Sequence, residues 1–404
     1  MPETVIIGGG IAGFVLALEL HAIGRQCAIF EAAPRIMPLG VGINLLPYAV
    51  EHLERLGLLP QLAAMSMQPT RCIYASSVGQ ILFEEPTGRT AGHSRPQFSI
   101  HRADLHRLLM QTARERLGES SVILGLTCTG YRQDGETVAA LFDDKTTVTG
   151  RILIGCDGIH SRIFRQMHPG REAIRRSDIT MWRGLTPNMK LHDGHTMLRA
   201  GTVQNGKIVA YPVPSVGSGA PVLNWVVEKQ TPQNEVPPSD HATPLHLERL
   251  FPQWDRSWLD LSRLFQTSQA IMCMPMTDRD PCPHWTHGRV ALLGDAAHPM
   301  FPLGSNGAGQ AVLDAAALAR CLDEIDDPLD ALTTYERIRR PAAERIVLSD
   351  RVGGPDVVLT AIEARTMGRR IPEIESTQFR REAGGLLADY RNRIDGSRAD
   401  RTGT

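Results

Sequence analysis

The chain has 404 residues, 42% hydrophobic and 22% charged, with a formal net charge of -1 at pH 7. That is more chain than one average domain needs and enough to bury a large core, while the near-neutral balance offers no special attraction to nucleic acid or an anionic membrane. Seven scattered cysteines without a CxxC pair, no basic leader before an apolar run, and no apolar stretch near the roughly 18 residues of a membrane span point to a soluble protein of a reducing, cytoplasmic compartment.

In chain order, Thr4 to Ile7 is an apolar strand and Gly8-Gly9-Gly10-Ile11-Ala12-Gly13 a glycine turn. Ile11 to Ile23 then has helical apolar spacing up to Gly24, and Cys27 to Phe30 is a second strand ending at Glu31. This is Gly-x-Gly-x-x-Gly in strand–turn–helix context. The glycines let backbone approach a pyrophosphate, and the acid roughly 20 residues on can accept ribose hydroxyls. The fingerprint leaves NAD(P) and FAD both open. After Glu31 come Arg35, the glycine-bearing Gly40-Val41-Gly42-Ile43-Asn44 and a helix from about Pro47 to Leu56, where a nicotinamide domain would return promptly to its third strand. Arg35 is either a cofactor contact or a surface charge.

Cys72 to Ala75 and Ile81 to Glu84 alternate like a hairpin, and Phe98 to Arg102 leads into a helix from Ala103 to Leu117. Arg102, at a strand end before a helix start, faces a ligand or serves as a cap or ion-pair partner. Val122 to Leu124, Thr127 to Tyr131, Val138 to Phe142 and Thr146 to Thr149 read as a small antiparallel excursion, before Arg151 to Arg162 re-enters the main sheet through Gly155-Cys156-Asp157-Gly158. Strands at Ile179 to Leu185, Thr196 to Ala200, Ile208 to Val213 and Val222 to Glu228, with Gly201, Gly206, Gly217 and Gly219 in turns, form a second sheet. It carries Trp182, Arg183, Met197, Tyr211, Asn224 and Trp225, about half of which alternation turns to one face. Arg183 stands out, because a buried cation on a sheet wants an anionic partner. A Pro-rich loop at Pro232 to Thr243 precedes helices at about Pro244 to Leu250 and Ser257 to Phe265.

Late in the chain a strand, Val290 to Leu293, ends in Gly294-Asp295, and a loop through Pro299, Pro302 and Gly304 opens a small-residue helix from about Ala308 to Leu322. A helix start aims unpaired N–H groups and a partial positive charge at a ligand. An exposed helix at Pro328 to Asp350 is either a dimer face or solvated, and the residues from about Gly396 read as a polar tail. His101 and His298 lack a second ligand at metal spacing, so no metal site is expected.

Gly155-Cys156-Asp157-Gly158-Ile159-His160-Ser161-Arg162 resembles the Asp-Gly motif of the FAD-dependent aromatic hydroxylases of the para-hydroxybenzoate hydroxylase type, and Gly294 to Pro299 resembles their second FAD motif. Together with the N-terminal fingerprint, the three occur in the family's order over most of the chain. Pro38 to Pro47, Met181 to Gly184, Pro275 to Pro281 and Pro302 to Ala308 resemble more narrowly the branch containing the phenazine monooxygenases, which commonly has Ser-Gln where this chain has Gly309-Gln310.

The resemblance implies an α/β fold: an FAD-binding Rossmann-like lobe of the glutathione-reductase type, an inserted mainly antiparallel β-sheet substrate lobe, and C-terminal helices. Residues 1–72, 99–175 and 276–350 would supply the FAD lobe, 73–98 a β insertion, 176–275 the substrate sheet and 351–404 a C-terminal helical segment. Gly8, Gly10, Ala12 and Gly13 would hold the pyrophosphate, Glu31 the ribose, and backbone near Leu126 the adenine, with Arg35 and Arg102 flanking. Val41, Gly42, Pro302, Gly304, Asn306, Gly307 and Ala308 would border the isoalloxazine, with Pro302 and Gly304 near C4a, and Asp295 would bind the ribitol or pyrophosphate. Asp157 would serve FAD and NAD(P)H or simply cap the following helix. The implied activity is an NAD(P)H-driven monooxygenase in which O2 adds at C4a and the resulting hydroperoxide hydroxylates an aromatic or N-heteroaromatic small molecule, with or without expulsion of carbon dioxide. No side chain is certain to be catalytic. Trp182, Arg183, Met197, Tyr211 and Asn224 are the candidates for substrate contact, NADH or NADPH would bind transiently, and the protein would be a monomer or homodimer. A flavoprotein reductase or dehydrogenase without oxygen insertion, and a non-catalytic FAD-binding protein, are the alternatives.

Overall fold

The computed structural model describes residues 2–35, 41–215, 221–231, 243–252, 254–255 and 257–394. Pro38-Leu39-Gly40, the turn glycines Gly217 and Gly219, nearly all of the Pro232 to Thr243 loop and the tail from Gly396 lie outside them. Among the described residues, no helix is long and apolar enough to cross a membrane.

The first lobe is built on a six-stranded sheet. β1 (Thr4–Ile7) is central, α1 (Ile11–Ala22) follows, and β2 (Cys27–Glu31) pairs parallel with β1 in the register Val5↔Ala28. On the other side β1 pairs with Ile152–Gly155, which pairs with Val290–Leu292. All these strands are apolar and buried on both faces, as a parallel sheet between helices requires. Val122–Leu124, expected in the antiparallel excursion, instead pairs parallel with β2 and closes the sheet's edge. Its carbonyls and N–H groups satisfy β2, whose far edge would otherwise be unpaired. Cys128–Gln133, Val138–Phe142 and Thr147–Gly150 do form the antiparallel excursion.

The second lobe is a seven-stranded sheet ordered Gln269–Asp278, Arg175–Pro187, Val222–Gln230, Gly206–Val213, Thr196–Thr202, Arg71–Ala75, Ile81–Pro86. Only the Thr196–Thr202 and Arg71–Ala75 pair is parallel. The Arg71–Ala75 and Ile81–Pro86 hairpin thus belongs to this sheet. Gly201 and Gly206, both at positive φ, turn the hairpin between Thr196–Thr202 and Gly206–Val213.

Side-chain alternation divides the second sheet into two cores. Trp182, Trp225, Ala210 and Ile208 face outward onto helices Pro244–Arg249 and Leu261–Gln266. Met181, Met197, Val209, Tyr211 and Val226 face inward, onto Phe301, Leu303 and helices Val357–Thr366 and Glu373–Ile394. The helix expected from Ser257 begins only at Leu261, where Asp260 accepts Arg263 N–H at 2.9 Å as its cap. The late helix runs Gly307–Glu324. The one after it, Pro328–Arg351, is not the exposed rod its polarity suggests: Ala331, Leu332, Tyr335, Arg339, Ala343 and Ile346 are buried along one stripe. That stripe packs on the late helix.

Candidate active site

β1, the glycine turn and α1 form the first wall of a cleft. Gly8 sits at φ +106°, and a Cβ there would lie 2.4 Å from the Cys156 carbonyl oxygen, so only glycine lets the two strand ends close together. At Gly10 nothing lies within 4 Å of an added Cβ, and no side chain caps α1. The N–H groups of its first turn therefore face open space, which is how a helix start receives a pyrophosphate. Glu31 closes the turn from the side: its Oε2 accepts Gly9 N–H at 2.7 Å and its Oε1 accepts Ala33 N–H at 2.8 Å. Each oxygen keeps a lone pair for a hydroxyl. His106, absent from the sequence reading, bonds the Gly9 carbonyl through Nε2 and packs on Phe14, fixing the turn from behind. Leu126 donates its N–H to the Glu31 carbonyl at 3.1 Å, leaving its own carbonyl side for a base. Arg35 is exposed. Arg102 is also exposed, at the first position of helix Arg102–Leu117, and gives its backbone N–H to Val41 O at 3.2 Å.

The second wall is the Gly294 to Ala308 segment. Asp295 is open to the cleft yet surrounded by protein, and that enclosure raises its carboxyl against the pull of His298 and Arg102. The helix that begins at Gly307 has no side-chain cap either, and a Cβ on Gly307 would meet nothing within 4 Å. Behind this segment stands a buried network that the sequence reading missed. Asp314, fully buried, accepts Gly294 N–H at 3.1 Å and Arg339 Nε–H at 2.8 Å, and bonds His298 Nε2 at 2.5 Å. Burial opposes its charge, but His298 and Arg339 outweigh that and hold its carboxyl below the usual range. Arg339 also donates to Gln310 Oε1 at 2.6 Å. The one available signal was an acid four residues after Gln310 in an alanine-rich helix, where both polar groups share a buried face. Arg279 joins the two FAD motifs by donating to Ile159 O and Ala296 O.

Asp157 stands against the start of the helix Arg162–Met167. Its Oδ2 accepts Arg162 N–H at 2.7 Å and Ile163 N–H at 3.3 Å, while Oδ1 is buried without a partner among the described residues. Burial raises its carboxyl against these hydrogen bonds.

The substrate candidates separate by face. Trp182 is fully buried on the outward face among Trp225 and Phe265, so alternation removes it from the cleft. Tyr211 and Asn224 face inward but are engaged with the first lobe. Asn224 Oδ1 accepts Gly42 N–H at 2.6 Å, and Tyr211 Oη donates to Gly42 O at 2.7 Å. A Cβ on Gly42 would sit 2.9 Å from each side chain, so the close approach demands glycine. These two residues pin both backbone polar groups of Gly42, the first residue of β3 (Gly42–Leu45), under the sheet. Met197 is buried inward and its sulfur accepts from Gln97 Nε2 at 3.0 Å. Arg183 shares the inward face with Met181, is only partly buried, and has its Nε buried with no partner among the described residues. It lies close enough to Tyr211 to oppose the burial that pushes that phenol up to about 12.

Two uncapped helix starts facing one cleft call for a ligand with negative charge at two places along its length. FAD is such a ligand, carrying a pyrophosphate and, once reduced, charge on its ring, and the residues present fit it. The protein is of the class of FAD-dependent aromatic hydroxylases. The chain belongs to the FAD binding domain family, whose model matches residues 1–350. It is 36% identical over 408 residues, 98% of each chain, to the phenazine 1,6-dicarboxylic acid hydroxylase PhzS of Lysobacter antibioticus. To the 3-hydroxybenzoate 6-hydroxylase 1 of Aquipseudomonas alcaligenes it is 30% identical, over 85% of this chain and 86% of that one. Its fold is similar to that of Klebsiella pneumoniae HpxO complexed with FAD and uric acid, at a TM-score of 0.78 and 24% identity over 97% and 96% of the two chains.

Proposed function

We propose that the enzyme hydroxylates a planar N-heteroaromatic carboxylate, with Arg183 receiving the carboxylate. The single observation that carries this is the Arg183 guanidinium on the inward face beside Met181, its Nε buried without a partner among the described residues, whereas the other cations of that face, Arg199 and Lys207, are paired with Asp356 and Glu228. Placing a cation there is costly unless an anion arrives to meet it. The relative that acts on phenazine 1,6-dicarboxylic acid supports the ring class. When bound and reduced by NADH or NADPH, FAD supplies the activated oxygen.

The chain's own residues bind, orient and exclude water. The first turn of α1, at Gly10, Ala12 and Gly13, takes the pyrophosphate, with Gly8 allowing the approach. Glu31 takes the ribose, the Leu126 backbone the adenine, and Asp295 the ribitol, while Arg35 and Arg102 flank from the exposed rim. Val41 and Gly42 on one side, and Pro302 with the backbone peptides of Gly304, Asn306, Gly307 and Ala308 on the other, border the flavin ring. Tyr211 and Asn224 act by holding Gly42, and Asp157 by holding the helix it caps. Met181, Met197, Val209 and Val226 form the dry roof that keeps the activated oxygen from being lost as hydrogen peroxide. Where the substrate's carboxylate lies on the attacked carbon, the carbon–oxygen bond forms as carbon dioxide leaves.

The test is Arg183→Met assayed with matched ring compounds with and without a carboxylate. KM for the acid should rise about 10- to 100-fold, the loss of one charge-assisted pair, with the neutral ring unaffected. Equal losses on both compounds would refute the anchoring role. Label from dioxygen absent from the product would refute the monooxygenase.

A further inference from the structure

The Asn306 side chain is held in an unusual way. An asparagine ahead of a helix ordinarily has extended backbone and turns its carboxamide onto the N–H groups two and three residues on. Asn306 does neither: its backbone is helical at φ -86°, ψ -31°, and its side chain makes no cap bond. Instead Tyr48 Oη donates to Asn306 Oδ1 at 3.3 Å, and Asn306 Nδ2 donates to Tyr390 Oη at 3.1 Å. Before it, Ser305 is driven to φ +57°, a left-handed conformation that a non-glycine residue adopts at a cost. Gly304 is packed so closely that an added Cβ would lie 2.3 Å from Tyr390 Oη and 2.4 Å from Asn306 Nδ2. Tyr390 comes from the far C-terminal helix, Glu373–Ile394, and is buried. Nearby, Arg199 donates to the Leu303 carbonyl at 2.9 Å and pairs with Asp356 at 2.7 Å, so a second C-terminal contact fixes the same loop.

We propose that Tyr48 and Tyr390 are positioning residues which hold the Asn306 carboxamide off its own helix, keeping the first N–H groups of that helix available to the flavin ring. This rests on the reading that the flavin ring faces the Gly307 helix start. Without the two hydroxyls, Asn306 can relax to the ordinary capping geometry, releasing Ser305 and consuming donors the cofactor would use.

The experiment compares Tyr48→Phe/Tyr390→Phe with the parent and with the triple variant that adds Asn306→Ala. FAD dissociation is followed by flavin fluorescence, the flavin midpoint potential by reductive titration, and apoprotein stability by urea. The double variant should bind FAD roughly fivefold more weakly, the size of a typical N-cap contribution, with a more negative potential. The triple variant should return to within about twofold of the parent, because alanine cannot cap. A merely structural role predicts the opposite, further loss on adding Asn306→Ala, and that result would overturn the proposal. Should the double variant fail to fold, Tyr48→Phe with and without Asn306→Ala makes the same comparison. Gly307→Asp, for which there is room, is the control. If it leaves the potential unchanged, the flavin does not face this helix start and the underlying reading falls. If it lowers the potential while the tyrosine variants do not, the positioning role alone falls.

Discussion

Replacing Asp314 with asparagine removes one charge and exchanges one acceptor oxygen for a donor. The carboxylate now takes three partners, Gly294 N–H at 3.1 Å, Arg339 Nε–H at 2.8 Å and His298 Nε2. An asparagine can serve one or two of them through its oxygen, while its NH2 group points at a remaining donor. Arg339, 6% exposed, would keep only neutral acceptors, the Gln310 oxygen and at best the asparagine's own oxygen. Breaking a buried ion pair from one side costs about 3 to 5 kcal/mol, because an uncompensated charge stays behind. Asp314→Asn should therefore lose about that much in urea unfolding of the apoprotein. It should also bind FAD at least roughly tenfold more weakly, since Gly294 carries Asp295 into the cleft and displacing the ribitol contact proposed for Asp295 would cost on the order of 1.4 kcal/mol. The pH dependence has a definite sign. The Asp314 carboxyl is depressed, so its contribution is present above the unfolded carboxylate value and is lost only as pH falls through the lower folded one. The deficit of the variant should thus be constant between about pH 5 and 8 and shrink only in stronger acid. A deficit under about 1 kcal/mol, with FAD affinity intact, would refute the role given to this network.

Gly309→Ser would restore the residue common in the phenazine branch, yet here a Cβ would meet Tyr48 Oη at 2.5 Å and Tyr48 Cε2 at 2.7 Å. It should cost about 1 to 3 kcal/mol of stability, as overpacking does. Adding Tyr48→Ala should recover part of that, and a fully tolerated single variant would contradict the close packing. Asp350 has both carboxylate oxygens buried without partners among the described residues, and burial followed by Asp356 pushes its carboxyl up to about 8. The folded protein therefore holds a proton that the unfolded chain releases, and stability falls as pH rises from about 4 to 8. Asp350→Asn should be more stable than the parent by about 1 to 2 kcal/mol at pH 8 and converge with it near pH 4 in urea titrations. An unchanged difference across that range would rule out the buried acid as its source.

The glycine turns, helix starts and acids of the candidate cofactor cleft were legible as local structure because their signals are local. A glycine turn, the helix after it and the acid ending the next strand lie within one short βαβ stretch, and their backbone geometry is set by sterics acting between near neighbours. The same holds for Gly294-Asp295 and the helix at Gly307. Residues acting across the fold left almost no trace. Asp314 and Arg339 stand on different helices, Tyr390 comes from a helix for which no family pattern was available, and Asn224 meets Gly42 across 182 residues. Composition also misled over Pro328–Arg351, whose polar surface hides one buried stripe.

The sequence alone determined the dinucleotide lobe, the order of the two lobes and the residue types proposed to grip FAD, since those follow from short-range spacing and turn chemistry. Tertiary structure alone decided which face of the second sheet looks into the cleft. Alternation says only that Trp182 and Arg183 point opposite ways. Packing of Trp182 against the outward helices and of Phe301 and Leu303 against the inward face sets the direction, leaving Arg183 on the inward face with an Nε that has no partner among the described residues.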